Sequence, residues 1–183
     1  MEVKLNRLRI CYAPGLFTAR AFEEGKTPKF GCQLILPHKD TAQIAKVKAA
    51  IEQVAKEKWA AKGAGVIASL QGTDFLCLRE GAKKPDREEL ENADYIAASN
   101  KVRPTIVDRD RTPLTEADGK PYSGCYVNAK IDIYGFEING KKMICATLMG
   151  VQFVENGDAF SGASVMAADE FDDLADTGDD DLV

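Results

Sequence analysis

The alternation of apolar and polar positions is clearest between residues 125 and 136. Cys125, Val127, Ala129, Ile131 and Ile133 fall on one side of an extended chain, and Tyr126, Asn128, Lys130, Asp132, Tyr134 and Phe136 fall on the other. Carried on to residue 154, with Asn139-Gly140 supplying two residues that accept positive φ, the pattern predicts a long β-hairpin. A further strand is predicted over 1–13, where Leu8, Ile10 and Tyr12 alternate with Arg7, Arg9 and Cys11 until Pro14-Gly15 breaks the run. Residues 16–36 read as strand, charged turn (EEGKTPK) and strand, with Phe30, Cys32, Leu34 and Leu36 sharing one face of the second.

Two stretches switch to helical spacing. Over 40–62, Ile44, Val47, Ile51, Val54 and Trp59 recur on one face, Asp40 or Thr41 can cap the start, and Gly63 supplies a stop. A shorter helix is predicted over 85–98, with Pro85 in its first turn and acids early. Pro104, Pro113 and Pro121 exclude a regular central strand through most of 101–124. The sum is a mainly β domain with helical insertions over 1–154, then a linker and acidic tail over 155–183. The tail is expected to be disordered, because it is highly charged and has few large apolar groups.

Charge changes this picture more than composition does. The chain carries a net −5, but residues 167–183 hold eight acids and no base. Without them the remainder has 24 basic and 21 acidic side chains, a net +3. A basic body is therefore joined to its own polyanion: Asp169, Glu170, Asp172, Asp173, Asp176, Asp179, Asp180 and Asp181, with Phe171 and Leu174 as apolar anchors. A tethered polyanion has a high effective concentration at a basic groove, so it can compete with nucleic acid there. It can equally serve as a docking peptide, or simply keep the chain in solution.

The outer side of the 125–136 strand carries three aromatics and a lysine. Bases stack on rings whatever their sequence, and cations meet phosphates, so this is a surface suited to a single strand of nucleic acid. Asp132 repels phosphate, and the strand taken alone reads as an ordinary solvent face with β-favouring aromatics. The basic segments shift the balance. Arg7 and Arg9 share a strand face, Arg20 flanks the early turn, and Lys101, Arg103, Arg109 and Arg111 precede the aromatic strand, although Asp108 and Asp110 interrupt them.

Other classes find little support. Gly25-Lys26-Thr27 lacks the glycine that a phosphate loop places five positions earlier, where Arg20 stands. The lone His38 leaves no partner for a cysteine nucleophile. The five cysteines lie 20 or more residues apart in apolar surroundings, which predicts reduced, mostly buried thiols and no zinc or other metal site. No apolar run approaches the roughly 18 residues of a membrane span, and MEVKLNRLRI has no signal-peptide core, so cytoplasmic residence is expected. No catalytic residues and no cofactor are expected.

Residues 124–160, GCYVNAKIDIYGFEINGKKMICATLMGVQFVENGDAF, together with the tail, NRLRICYA and KFGCQLILP, resemble bacteriophage single-stranded-DNA-binding proteins that join an OB-fold to an acidic C-terminal tail. The resemblance implies an OB-type antiparallel barrel elaborated with helices. It implies sequence-tolerant coating of single-stranded DNA in phage replication and recombination, in the host cytoplasm. It also implies a tail that contacts replication proteins such as a polymerase or helicase. The positions carried over are Tyr126, Lys130, Tyr134 and Phe136. Tails of that group often end in an aromatic residue; this one ends Asp181-Leu182-Val183. Two rival readings remain open at this stage: an acidic adaptor or nucleic-acid mimic that binds proteins, and a strand-annealing recombination protein.

Overall fold

A computed structural model describes residues 1–21 and 24–160. Seven strands and two helices follow in the order β1 (Glu2–Cys11), β2 (Phe30–Pro37), α1 (Thr41–Trp59), α2 (Gly63–Leu70), β3 (Leu78–Glu80), β4 (Ala93–Asn100), β5 (Thr105–Val107), β6 (Tyr126–Ile138) and β7 (Lys141–Glu155). β1 pairs antiparallel with β2 and β6, β2 with β4, and β6 with β7. One parallel pair, Ser99 with Thr147, joins β4 to β7, so five strands are linked in a ring of pairings in the manner of an OB-fold. β3 and β5 lie at the two ends of the strand order.

The ring encloses Leu5, Leu8, Ile10, Leu34, Leu36, Ile96, Ile131, Ile133 and Leu148, each at most 1% exposed. Fully burying such a side chain contributes about 1.5–3 kcal/mol. α1 adds Val47, Ile51 and Val54 to the same core, and Asp40 caps it by accepting the Gln43 N–H. At its far end the Trp59 indole N–H donates to Glu137 on β6 at 2.8 Å. The hairpin turns on Asn139 and Gly140, both at positive φ as expected.

β1 carries an extra residue. Leu5 pairs with Ala129 and Leu8 with Val127, so three steps on β1 match two on β6. Arg7 takes φ 50 at this bulge, which lets Leu5 and Leu8 both point inward although they are an odd number of residues apart. The Gln43 side chain bonds both the N–H and the C=O of Asn6, fixing the bulge to α1.

Four expectations are corrected. The stretch 85–98 is not a helix: a short 3-10 turn at Glu88–Leu90 leads through Asn92, at φ 54, into β4. β4 is buried on both faces, Ile96 and Ala98 inside and Tyr95 outside, so its run of apolar residues matches helical spacing as well as strand spacing. Gly63 does not end a helical segment. The break comes at Ala60, φ 49, and Gly63 opens α2, where a Cβ would lie 2.8 Å from the Ala55 backbone. The first strand expected within 16–36 reduces to a single bridge between Arg20 and Lys29, after a 3-10 turn at Ala13–Leu16. Tyr12 does not share the inward face of Leu8 and Ile10; it leaves the strand at φ 59 and is 57% exposed.

Candidate nucleic-acid interface

The outer surface of β6 is built from both neighbouring strands. Tyr126 faces Arg9 on β1 and Glu155 on β7. The Arg7 guanidinium lies 4.7 Å from the Tyr126 ring centroid and that of Arg9 lies 5.8 Å from it, so two cations share one ring. Arg7 is well exposed and paired with Glu155. Exposed pairs of this kind contribute about 0–1 kcal/mol, so a phosphate can replace the carboxylate at little cost. Arg9 is held differently. Its Nε donates to the Gly124 carbonyl at 3.0 Å, its Nη2 to the Asp158 carbonyl, and its plane lies 4.0 Å from the Phe160 ring centroid. Arg9 thus pins the last described residues, at the start of the expected linker, against the outer face of β1.

A chain of hydrogen bonds ties a second basic segment to this cluster. The Arg7 N–H donates to Asn128 Oδ1, Asn128 Nδ2 to Gln152 Oε1, and Gln152 Nε2 to the Asp108 and Arg109 carbonyls. Arg109 and Arg111 occupy a tight turn after β5, and both are exposed. The two aspartates that interrupt them in sequence are engaged locally. Lys120 donates to Asp108 at 2.6 Å, and that hydrogen bond holds the Asp108 carboxyl below its ordinary value. Asp110 accepts the Thr112 N–H, which lowers its pKa likewise.

The middle of the strand is occupied by ion pairs. Lys130 meets Glu2 at 2.7 Å, and Asp132, the carboxylate that argued against phosphate, meets the α-amino group of Met1 at 2.7 Å. Beyond them lie Tyr134 and Phe136, 41% and 42% exposed, facing Cys145 and Met143 on β7. Burial raises the Tyr134 phenol above its ordinary pKa. Tyr134 stands eight residues from Tyr126, about 26 Å along a strand, so the expected aromatic row is split between two ends.

The remaining basic candidates gather at a different edge. Arg20 bridges Lys29, Lys29 leads into β2, and Phe30 pairs with Asn100, which is followed by Lys101. The Asn100 amide donates to the Leu148 carbonyl of β7 at 2.9 Å, and the Arg103 guanidinium lies 5.6 Å from the Phe17 ring. Arg20, Lys101 and Arg103 are exposed. The structure therefore joins Arg7, Arg9, Tyr126, Arg109 and Arg111 as one group. It places Arg20, Lys101 and Arg103 in a second group, and Tyr134 with Phe136 at the hairpin end. The tail candidates Asp169, Glu170, Phe171, Asp172, Asp173, Asp179, Asp180 and Asp181 lie outside the described residues.

Cys11, Cys32, Cys77 and Cys125 are buried and free, Cys145 is half-buried, and burial pushes the Cys11 thiol up to about 11. Among the described residues no group of three His, Cys, Asp or Glu side chains could hold a metal ion, and no helix is long and apolar enough to cross a membrane.

A family model described as Enterobacter phage Enc34, ssDNA-binding protein, matches residues 1–183. Putative protein p50 of Acyrthosiphon pisum secondary endosymbiont phage 1 is 40% identical over 185 residues, covering 100% of this chain and 99% of that protein. Among solved structures, the single-stranded DNA-binding protein from bacteriophage Enc34 in complex with ssDNA matches with a TM-score of 0.75 at 25% identity, over 87% of this chain and 89% of that one. The single-stranded DNA binding protein gp2.5 encoded by bacteriophage T7 matches with a TM-score of 0.58 at 14% identity, over 95% and 96%, a likeness of fold alone.

Proposed function

This chain belongs to the family of the Enterobacter phage Enc34 single-stranded-DNA-binding protein, and from that premise we propose that it coats single-stranded DNA with little sequence preference during phage replication and recombination. The observation that carries the reading is the Arg7–Tyr126–Arg9 cluster on the outer face of an OB-like ring, linked through Asn128 and Gln152 to the Arg109 turn. Rings offer a stacking surface to any base, and exposed guanidiniums meet the backbone. The protein is a binder and not an enzyme. Its place of action is the cytoplasm of the infected host.

The acidic tail, in this proposal, limits access to the basic face and recruits replication proteins such as a polymerase or helicase. What supports it is the charge pairing: eight acids and no base in the tail against a body of net +3. The backbone leading to the tail also starts beside the cluster, where Arg9 holds Asp158 and Phe160. A polyanion tethered there acts at high effective concentration. The experiment is fluorescence anisotropy of labelled oligo-dT with intact protein and with residues 167–183 deleted, at low and high salt. Deletion is expected to tighten binding at low salt. Binding by the body should weaken with a log–log salt slope of about −0.7 per phosphate contacted. Equal or weaker binding after deletion refutes the regulatory role, and no binding by either form favours a protein-binding adaptor.

A further inference from the structure

We propose that Tyr12, braced by Arg87, is a second base-stacking platform on the outer face of the ring, further along β1 from Tyr126. The inference rests on the single-strand reading and adds a site to it.

Tyr12 has no role in the core. The residue is 57% exposed, while its neighbours Cys11 and Ala13 are 3% and 0% exposed, and the Ala13 N–H donates to Ser123 Oγ at 3.1 Å. An exposed aromatic is thus presented from a backbone anchored on both sides. It is presented in a left-handed conformation, φ 59, which a residue with a Cβ takes at a cost, and such costs concentrate at ligand-binding positions.

Arg87 supplies the bracing. Its Nε donates to Glu89 at 2.8 Å and its Nη1 to Gln33 on β2 at 2.7 Å. With its side chain only 15% exposed, it is a positioning group rather than a phosphate contact. Its guanidinium carbon lies 5.3 Å from the Tyr12 ring centroid and 5.8 Å from that of Tyr95. Glu89, the nearby acid, is itself paired with Arg87 at 2.7 Å and does not present a free charge to phosphate.

The place is continuous with the first cluster. Arg9, which touches Tyr126, precedes Tyr12 by three residues, about 10 Å along an extended chain. Phe160, stacked on Arg9, also packs against the outer group of Cys11, Ile35, Leu90 and Tyr95, and Arg87, which braces Tyr12, lies over the Tyr95 ring of that group. A single strand crossing Tyr126 and following β1 would meet Tyr12 next.

The test uses the full chain with Tyr12→Asn and Tyr12→Trp. Asn tolerates positive φ, so the first variant removes the ring and keeps the backbone. Oligo-dT affinity should fall on the order of fivefold to a hundredfold in Tyr12→Asn and be kept in Tyr12→Trp. Oligo-dT should also quench the added indole; the parent, whose one tryptophan is Trp59, gives the baseline. If the parent binds and Tyr12→Asn binds equally well, or the added indole does not respond at saturation, Tyr12 merely packs on Arg87 and the platform is wrong. If the parent itself does not bind, the single-strand reading falls and the platform with it.

Discussion

The two ends of β6 carry the same kind of residue and are built differently. At one end Tyr126 lies between Arg9 on β1 and Glu155 on β7, and the bulge in β1 brings Arg7 over its ring. At the other end Tyr134 and Phe136 extend past the last β1 pair, Glu2 with Asp132, and lie opposite Cys145 and Met143 on β7. An outward aromatic is therefore not yet a nucleic-acid contact. Its cross-strand neighbour decides whether a stacked base finds a cation beside it. At the Tyr126 end two arginines share the outward ring itself; at the hairpin end the cation Lys141 lies over Phe75, 3.9 Å from its centroid, and not over Tyr134 or Phe136.

The largest expected effect separates these ends directly. Replacing Tyr126 by Ala should cost about 3 kcal/mol of oligo-dT binding, the upper end for a stacked base, because the arginines lose their platform as well. Tyr134→Ala and Phe136→Ala should each cost about 1 kcal/mol. Anisotropy titrations of folded variants measure both. A larger loss at the hairpin end would reverse the comparison and move the main platform there.

Salt sharpens the same contrast. Arg7→Gln should flatten the log–log salt slope by about 0.7, one phosphate contact on a single strand, and Phe136→Ala should leave the slope unchanged. Arg103→Gln tests whether the second basic group lies on the path; an unchanged slope there confines the strand to the Arg7 side. A structural version of the test uses Gln152→Leu, which removes the link between Asn128 and the Arg109 turn. It should lower stability by about 1 kcal/mol in denaturant titrations. Faster amide exchange over 108–112, with β6 still protected, would mark the turn as the part released.

Much of this arrangement was legible in the residues. The 125–154 hairpin, its Asn139-Gly140 turn, the inward set on β6 and the cap of α1 all follow from local periodicity and turn chemistry. β4 was missed because both of its faces are buried, so no alternation marks it. The split of the aromatic row could not be read locally either. It depends on where β1 stops and on an extra residue at Arg7, both long-range facts of register. Tyr12 was misplaced for a simpler reason. The strand ends at Cys11, one residue short of where the alternation in the sequence runs out, and Pro14-Gly15 marks the break that follows.

The smallest expected effect concerns the acids that interrupt the arginines. Asp108 accepts a hydrogen bond from Lys120, and this lowers its pKa from the ordinary 3.8 in the folded chain. A carboxyl whose folded pKa is depressed stabilises the fold above its unfolded value, and that contribution disappears as pH falls through the folded value. Asp108→Asn should therefore destabilise the turn slightly at neutral pH, and the gap to the parent should close below about pH 3.8 as the parent's carboxyl takes up its proton and becomes neutral like the amide. Thermal melts across that range measure the closing gap. Binding supplies the contrast. If Asp108 serves only to hold Lys120 and the turn, Asp108→Asn leaves oligo-dT affinity at neutral pH nearly unchanged. If affinity instead rises severalfold, Asp108 still repels phosphate in the folded protein. The Arg109 turn would then be a weaker part of the Tyr126 end than its hydrogen-bond connections suggest.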